Sequence, residues 1–157
     1  MTILAGAKVD AVDFDLPDVV TAFGNGTNTV TATSFSVLPT TTCTAVIVNS
    51  HPSASMLTLV SYGAWMAAST ANDVRAALDF SGATVIAPGI GGGAAVGWGE
   101  IPLVSTTTAS AHQGATITVE LAPGTTTVKM YAYRSAASGT HTVNYPTIRL
   151  VPLRYLF

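Results

Sequence analysis

The stretch MLTLVSYGAWMAASTANDVRAALDF, residues 56–80, decides the fold. Up to Ala68 its side chains alternate with a period of two, which is the repeat of a β-strand, and the alternation returns after a turn-like segment at 69–72. We therefore predict two strands that form a long hairpin with one apolar face. The alternative is a helix over 67–78, but that helix would place Asp73 on one stripe with Ala76 and Ala77 and would lack a coherent apolar face. The apolar side of the second strand consists of Val74, Ala76, Leu78 and Phe80.

The chain is poor in ionic side chains. Its 157 residues include 6 basic and 8 acidic ones, so 9% are charged, whereas an ordinary soluble domain has about a quarter. Threonine occurs 24 times, and its β-branched side chain suits a pleated strand. The mean hydropathy is +0.47, and uncharged β surfaces with open edges favour association. We expect much of this surface to be covered in an oligomer or a larger assembly.

The net charge and the absence of long apolar or signal-like segments argue against several classes of protein. A net charge of −2 does not suit nucleic acid, which requires a basic surface. No run of about 20 apolar residues suggests a membrane span. The N-terminus lacks the features of a secretory signal, so we expect a cytosol-like compartment. The one cysteine, Cys43, excludes an internal disulfide and is expected to be a small buried apolar group.

Residues 1–23 differ in composition from the rest and are predicted to form an N-terminal arm. Half of the eight acidic residues lie here, and Pro17 prevents a helix from running through the segment. An extended arm that mixes acids with apolar residues is suited to lie on a partner. The alternative, which the sequence leaves open, is a first strand along its own domain. The predicted attachment residues are Ile3, Leu4, Asp10, Asp13, Phe14, Asp15 and Leu16.

Residues 24–157 are predicted to form one antiparallel β-sandwich of the jelly-roll type. About eight to ten short strands follow one another, separated by turn signals and without a credible helix. One predicted pair joins residues 116–121 to 126–134 across the turn Ala122-Pro123-Gly124. The fold class is therefore all-β, with an extended N-terminal arm.

The C-terminal stretch, residues 145–157, carries apolar groups on both faces. This pattern fits either a central strand or a strand with one face in the core and the other against a second subunit. The candidate subunit-interface residues are Tyr145, Ile148, Leu150, Val151, Leu153, Tyr155 and Phe157.

No arrangement of residues indicates catalysis, a metal or a cofactor. The glycine-rich run at 89–94 satisfies G-x-G-x-x-A, but Gly97, Gly99 and Pro102 prevent the helix that dinucleotide binding requires, so a simple loop is expected. The histidines lack the close ligand pairs of a zinc site and are interpreted as surface or turn residues. There is no G-x-S-x-G elbow or acid–base pair, and we do not expect an enzyme.

Several aromatic residues could stack on sugars, although such residues more often line cores and subunit contacts. The candidate ligand contacts are Trp98, Tyr131 and Tyr133.

Three stretches resemble known virion proteins. The opening ILAGAKVDAVDF, residues 3–14, resembles the first residues of small virion proteins of tailed bacteriophages. Residues 57–88, with Trp65 and Asp73-Val74-Arg75, and the ending TIRLVPL, residues 147–153, are similar to C1q/TNF-like jelly rolls of phage head-decoration and minor tail proteins. The resemblance implies a homotrimer around a three-fold axis, attached to a capsid or tail. The chain lacks a collagen-like stalk or long coiled coil, which favours a compact knob over a fibre.

These observations together predict a structural virion protein, assembled in the host cytoplasm. The leading expectation is a trimeric capsid decoration (cement) protein whose arm holds the major capsid protein. The alternative is a minor tail or tail-tip protein with a receptor- or carbohydrate-binding role. Its partners are then copies of itself, a capsid or tail protein of the same virion and, for the alternative, a host-surface glycan.

Overall fold

The computed structural model describes residues 15–40, 42–68, 74–88, 101–103, 109–134 and 139–157. These residues form ten β-strands and no helix, and the strands make two antiparallel sheets that enclose a shared hydrophobic core. The predicted all-β, jelly-roll-like sandwich is confirmed. Within the described ranges no helix has the length and apolarity to cross a membrane.

The first sheet is built around the C-terminal strand. It contains β1 (Val20–Phe23), β2 (Thr27–Thr29), β5 (Ser55–Ala68), β8 (Ala109–Leu121) and β10 (His141–Leu156). Its order is β1-β10-β5-β8, and β2 also pairs with β10. Residues 147–150 therefore have a central position, one of the two alternatives that the sequence left open, since β10 pairs there with β1 on one side and with β5 on the other.

The second sheet is built around β9. It contains β3 (Ser36–Val37), β4 (Thr44–Asn49), β6 (Val74–Gly82), β7 (Ile101–Leu103) and β9 (Gly124–Arg134). Its order is β3-β9-β6-β7, and β4 also pairs with β9.

The predicted long hairpin is wrong in its pairing. Both of its strands exist, but β5 lies in the first sheet and β6 in the second. The same correction applies to the pair predicted across Ala122-Pro123-Gly124, because β8 pairs with β5 whereas β9 pairs with β6. In both cases each strand buries its own apolar side, and these sides meet across the core instead of lying side by side in one sheet. Gly124 adopts a φ of 113° in this connection between sheets, which a glycine tolerates without strain.

The core follows the period-two pattern of the sequence. On β6 the predicted apolar side, from Val74 to Phe80, is buried, and on β5 every second residue from Met56 to Ala68 is buried. Opposing strands contribute Val128 and Met130 from β9, and β10 contributes further apolar side chains. Alternate side chains of each sheet thus fill the interior, as in other sandwiches.

The predicted boundary of the N-terminal arm at residue 23 needs correction. Val20–Phe23, which the sequence assigned to the arm, forms β1 and pairs with β10 from Leu150 to Thr147. Val20 and Ala22 pack against the core, so burial holds this part of the chain to the sandwich. For these four residues the alternative of a first strand is the correct one.

Candidate interaction surface

The first sheet presents one broad outer surface, which we call the first-sheet face. Residues in register on neighbouring strands point to the same side of a sheet, so the strand pairings define its rows. We define the face by Thr21, Phe23, Leu57, Leu59, Ser61, Gly63, Trp65, Ala67, His112, Gly114, Thr116, Thr118, Glu120, Thr142, Asn144, Thr147, Arg149, Val151 and Arg154.

The first-sheet face carries few charges. Its ionic side chains are Glu120, Arg149 and Arg154, and the others are apolar, hydroxylic, amide or glycine, apart from the exposed imidazole of His112. A surface of this size normally has ionic groups scattered across it. The first-sheet face therefore has fewer charges than an ordinary protein surface.

Apolar side chains occupy two adjacent rows of the face near the start of β5. Val151 of β10 lies opposite Leu59 of β5, and Leu57 lies in the next row. All three are half-buried by their own neighbours, while Trp65 further along β5 is 44% exposed. Neighbouring apolar side chains that remain accessible on the outer side of a sheet suit a contact with another chain.

A shallow groove with a glycine floor crosses the face. Gly63 of β5 lies opposite Gly114 of β8, and the groove has a volume of about 580 Å³. A Cβ on Gly63 would lie 2.8 Å from the backbone oxygen of Gln113, and a Cβ on Gly114 would lie 2.9 Å from that of Tyr62. Both distances are shorter than real Cβ contacts, so the two strands can approach this closely only with glycine at these positions.

Polar side chains line the groove. The hydroxyl groups of Ser61 and Thr116 form a hydrogen bond of 3.2 Å, and the Thr147 hydroxyl donates to the Gly63 carbonyl at 3.2 Å. Arg149 and His112 complete the polar lining. These groups can donate hydrogen bonds to a ligand or to a second protein chain.

An exposed aromatic pair lies beside the bulge in β10. The register of β10 shifts between Asn144 and Thr147, and Tyr145 in this bulge has a φ of 50°, unusual for a residue with a side chain. Its ring stacks with Phe23 at 6.4 Å between centroids, and the two residues are 52% and 60% exposed. The bulge thus directs an aromatic side chain outward, beside the end of β1.

The predicted subunit-interface residues divide between the core and the surface. Ile148 and Leu150 are fully buried inside the protomer, and Tyr155 is nearly so. They are therefore unavailable to a second subunit, and this part of the predicted set needs correction. Val151 is half-buried on the first-sheet face. Tyr145, Leu153 and Phe157 are exposed.

The predicted ligand-contacting aromatics are not gathered into one site. Trp98 lies outside the described residues. Tyr131 is half-buried on β9, and Tyr133 is buried, with the Phe35 ring edge-on at 4.6 Å and the Arg75 guanidinium 6.0 Å from its centroid. Tyr133 therefore packs within the protomer and does not offer a free stacking surface.

The root of the predicted arm is fixed to the sandwich. Ile3, Leu4, Asp10, Asp13 and Phe14 lie outside the described residues. Asp15 is exposed, and its backbone carbonyl accepts a hydrogen bond of 2.9 Å from the Tyr155 hydroxyl. Leu16 is half-buried against the core. The chain before Asp15 therefore starts from a defined point beside the end of β10.

The expectation of surface or turn histidines is correct for His112 and His51 and wrong for His141. His112 is exposed. His51 lies in the connection from β4 to β5 but is buried, and its Nδ1 accepts the Ala54 amide at 2.7 Å and the Ser53 amide at 3.2 Å. His141 is completely buried at the start of β10. Among the described residues no three histidine, cysteine or acidic side chains are grouped to hold a metal ion.

Cys43 is buried, as the sequence predicts. Burial raises the pKa of its thiol to about 11. The thiolate is the reactive form of cysteine, so this side chain acts as a small apolar group at neutral pH.

The buried His141 predicts a pH-dependent stability. Burial lowers the pKa of its imidazole below the ordinary value of 6.5, and the Arg134 guanidinium acts in the same direction. As the pH falls below 6.5 the unfolded chain binds the proton first, so the free energy of unfolding decreases from there down to the lowered folded-state pKa. We expect His141→Leu, which cannot titrate, to lose less stability than the wild type between pH 7.5 and pH 5 in urea titrations. An equal loss in both proteins would contradict this role of His141.

The first-sheet face was not predicted from the sequence as a contact surface. The signal was present, because β5 carries apolar residues on both of its sides and only one of these sides can enter the core. Leu57, Leu59 and Trp65 could thus have been assigned to a second contact surface once β5 was recognised as an inner strand.

Comparisons with known proteins support the fold. No family model matches the chain, and no curated protein matches it. The two sheets form a jelly-roll-like sandwich, and among solved structures the chain is similar to the Eiger TNF of S. frugiperda. The TM-score is 0.54 at 11% sequence identity, and the match covers 88% of this chain and 95% of that chain. At this identity the likeness establishes the fold alone.

Proposed function

We propose that the protein is a homotrimeric structural component of a tailed-bacteriophage virion, most simply a capsid decoration protein that coats or stabilises the head. The observation that carries the proposal is the first-sheet face, which combines adjacent apolar side chains near the start of β5 with only three ionic side chains. The resemblance of the sequence to phage virion jelly rolls supports a tailed-bacteriophage virion as the particle to which the protein belongs.

The first-sheet face is the proposed contact between subunits. Half-buried Leu57, Leu59 and Val151 need little additional ordering when a second chain covers them, so most of their burial would stabilise the complex. The chemistry of the face suits a permanent interface, since such interfaces are more apolar than the rest of a protein surface. Around a three-fold axis three such faces would cover one another.

The arm is the proposed attachment to the shell. The hydrogen bond between Tyr155 and the Asp15 carbonyl, together with the packing of Leu16, holds the arm root on the sandwich. The preceding residues would then be free to lie on the major capsid protein, or on a tail protein of the same virion. The acids at Asp10 and Asp13 and the apolar Ile3 and Leu4 supply both kinds of contact. Neither nucleic acid nor membrane is required as a partner.

Removing the arm provides the test of attachment. A chain beginning at Asp15 keeps the arm root, so we expect it to fold and assemble like the full chain but to lose binding to particles that lack the protein. Co-sedimentation of purified protein with such particles measures this. Full-length protein is the positive control, and Asp18→Ala, which lies after the arm root, should bind normally. Undiminished binding of the shortened chain would contradict the proposed role of the arm.

A tail-tip protein that binds a host-surface glycan is the second candidate. The exposed pair of Phe23 and Tyr145 and the exposed Trp65 favour it, because aromatic rings stack on sugars and the groove beside them carries hydroxyl groups. A glycan array distinguishes the candidates, since specific binding by the purified protein would favour the tail-tip role. No catalytic activity is proposed, and a broad hydrolase screen of the purified protein would reveal one.

A further inference from the structure

A row of opposite charges crosses the first-sheet face near the start of β5. Arg154 of β10 lies opposite Leu57 of β5, which lies opposite Glu120 of β8. These side chains point to the same side of the sheet. From β10 through β5 to β8 the row is basic, apolar and acidic. Its charged ends are two strand spacings apart, about 10 Å.

Both charged ends of the row are available for contacts outside the protomer. Arg154 and Glu120 are exposed, and neither forms an ion pair with another residue in the part of the chain that the structure describes. Each end therefore has an unused charge beside an apolar neighbour.

An apolar hollow lies next to the acidic end. It has a volume of about 330 Å³ and is lined by Leu57, Ile86, Thr118 and Val119 together with Glu120. Next to the basic end, Leu153 lies where the register of β10 shifts and is 44% exposed. The basic end thus pairs an arginine with a protruding leucine, and the acidic end pairs a carboxylate with an apolar recess.

The two ends of the row are complementary, as a closed ring of subunits requires. In a ring each copy presents one patch to one neighbour and a different patch to the other, so the two patches must be complementary in charge and shape. The basic end with Leu153 and the acidic end with its hollow meet both conditions. A second copy of this chain is therefore the occupant that the charges favour.

We propose that in the homotrimer Arg154 of each copy pairs with Glu120 of the next, while Leu153 enters the hollow beside that glutamate. The inference rests on the proposed homotrimer and adds its subunit order and orientation. An ion pair at the margin of an interface contributes less to affinity than to the choice and orientation of the partner. Charge reversal is the sensitive test, because it places like charges opposite each other.

The experiment compares Glu120→Arg, Arg154→Glu and the double variant carrying both. We expect each single variant to raise the trimer dissociation constant at least about ten-fold, because like charges face each other across the interface. In the double variant the charges are exchanged and attraction returns, so the constant should fall back to within about three-fold of the wild type. Sedimentation velocity over a concentration series measures the constant, and circular dichroism verifies that each variant is folded.

Two further variants test whether the effect is specific to Arg154 and Glu120. Thr125→Arg places the same new charge on the second sheet and should leave the constant unchanged. Arg149→Glu tests the other arginine of the first-sheet face, and rescue of Glu120→Arg by Arg149→Glu but not by Arg154→Glu would overturn the assignment. Single variants that are trimeric with an unchanged dissociation constant would also overturn the pairing of Arg154 with Glu120, but they would not contradict the homotrimer. A monomeric wild type would refute the homotrimer itself and this inference with it.

Discussion

Replacing Leu59 with arginine should convert the proposed trimer into monomers. Leu59 lies on the first-sheet face, between Val151 and Thr118 in its row. A guanidinium there would have to be buried between subunits without a partner, which costs several kcal/mol at a desolvated contact. In the monomer the longer side chain can extend along the surface into water. Light scattering coupled to size exclusion should therefore report a mass that falls from three times the 16.0 kDa chain to one.

A matched control for this change lies on the second sheet. Val46 is an exposed apolar residue on β4, 48% accessible, so Val46→Arg adds the same charge away from the first-sheet face. It should leave the trimer unchanged. If Leu59→Arg remained trimeric while folded, the first-sheet face could not be the subunit contact, whatever the true assembly is.

Replacing Leu150 with alanine should lower the free energy of unfolding by about 2–5 kcal/mol, the usual range for a leucine removed from a core. Leu150 is completely buried on β10, the central strand of the first sheet. The rigid strands around it cannot close the cavity fully, so both transfer energy and packing are lost. Urea unfolding monitored by tryptophan fluorescence measures the change.

The same strand offers the control. Leu153 is 44% exposed, and Leu153→Ala should alter unfolding by less than about 0.5 kcal/mol. Both substitutions are best made in the Leu59→Arg background, where subunit dissociation does not contribute to the measured stability. Equal losses from the two substitutions would mean that the division between core and surface along β10 is incorrect.

The strands could be predicted from the sequence, whereas their partners could not. Period-two alternation identified β5, β6, β8 and β9 because each strand has one side in the core. A short turn such as Ala122-Pro123-Gly124 suggests a hairpin, yet the same turn also connects strands of two facing sheets. Local sequence does not distinguish these outcomes, since in both the apolar sides of the two strands become buried.

The contact surface was harder to derive than the core. In residues 145–157 apolar side chains occur on both faces, and the sequence could not tell which set enters the interior. The bulges after Asn144 and Pro152 change the alternation within the strand, so a strict period of two misassigns residues beyond each bulge. Ile148 and Leu150 were grouped with exposed Leu153 because apolar residues occur on both faces of this stretch. The row formed by Arg154, Leu57 and Glu120 requires the pairing of three strands that are distant in sequence.

The place of β10 in the first sheet affects how the chain folds during synthesis. β10 is the last strand along the chain, yet it separates β1 from β5 and hydrogen-bonds to both. While the ribosome is still making β10, β1 has no partner in the first sheet, so that sheet is completed only after translation of the sandwich has ended. Contacts between residues far apart in the chain, such as that between Val20 and Leu150, form slowly compared with local structure. Newly made chains therefore pass through a period with exposed strand edges, when protection from aggregation matters most.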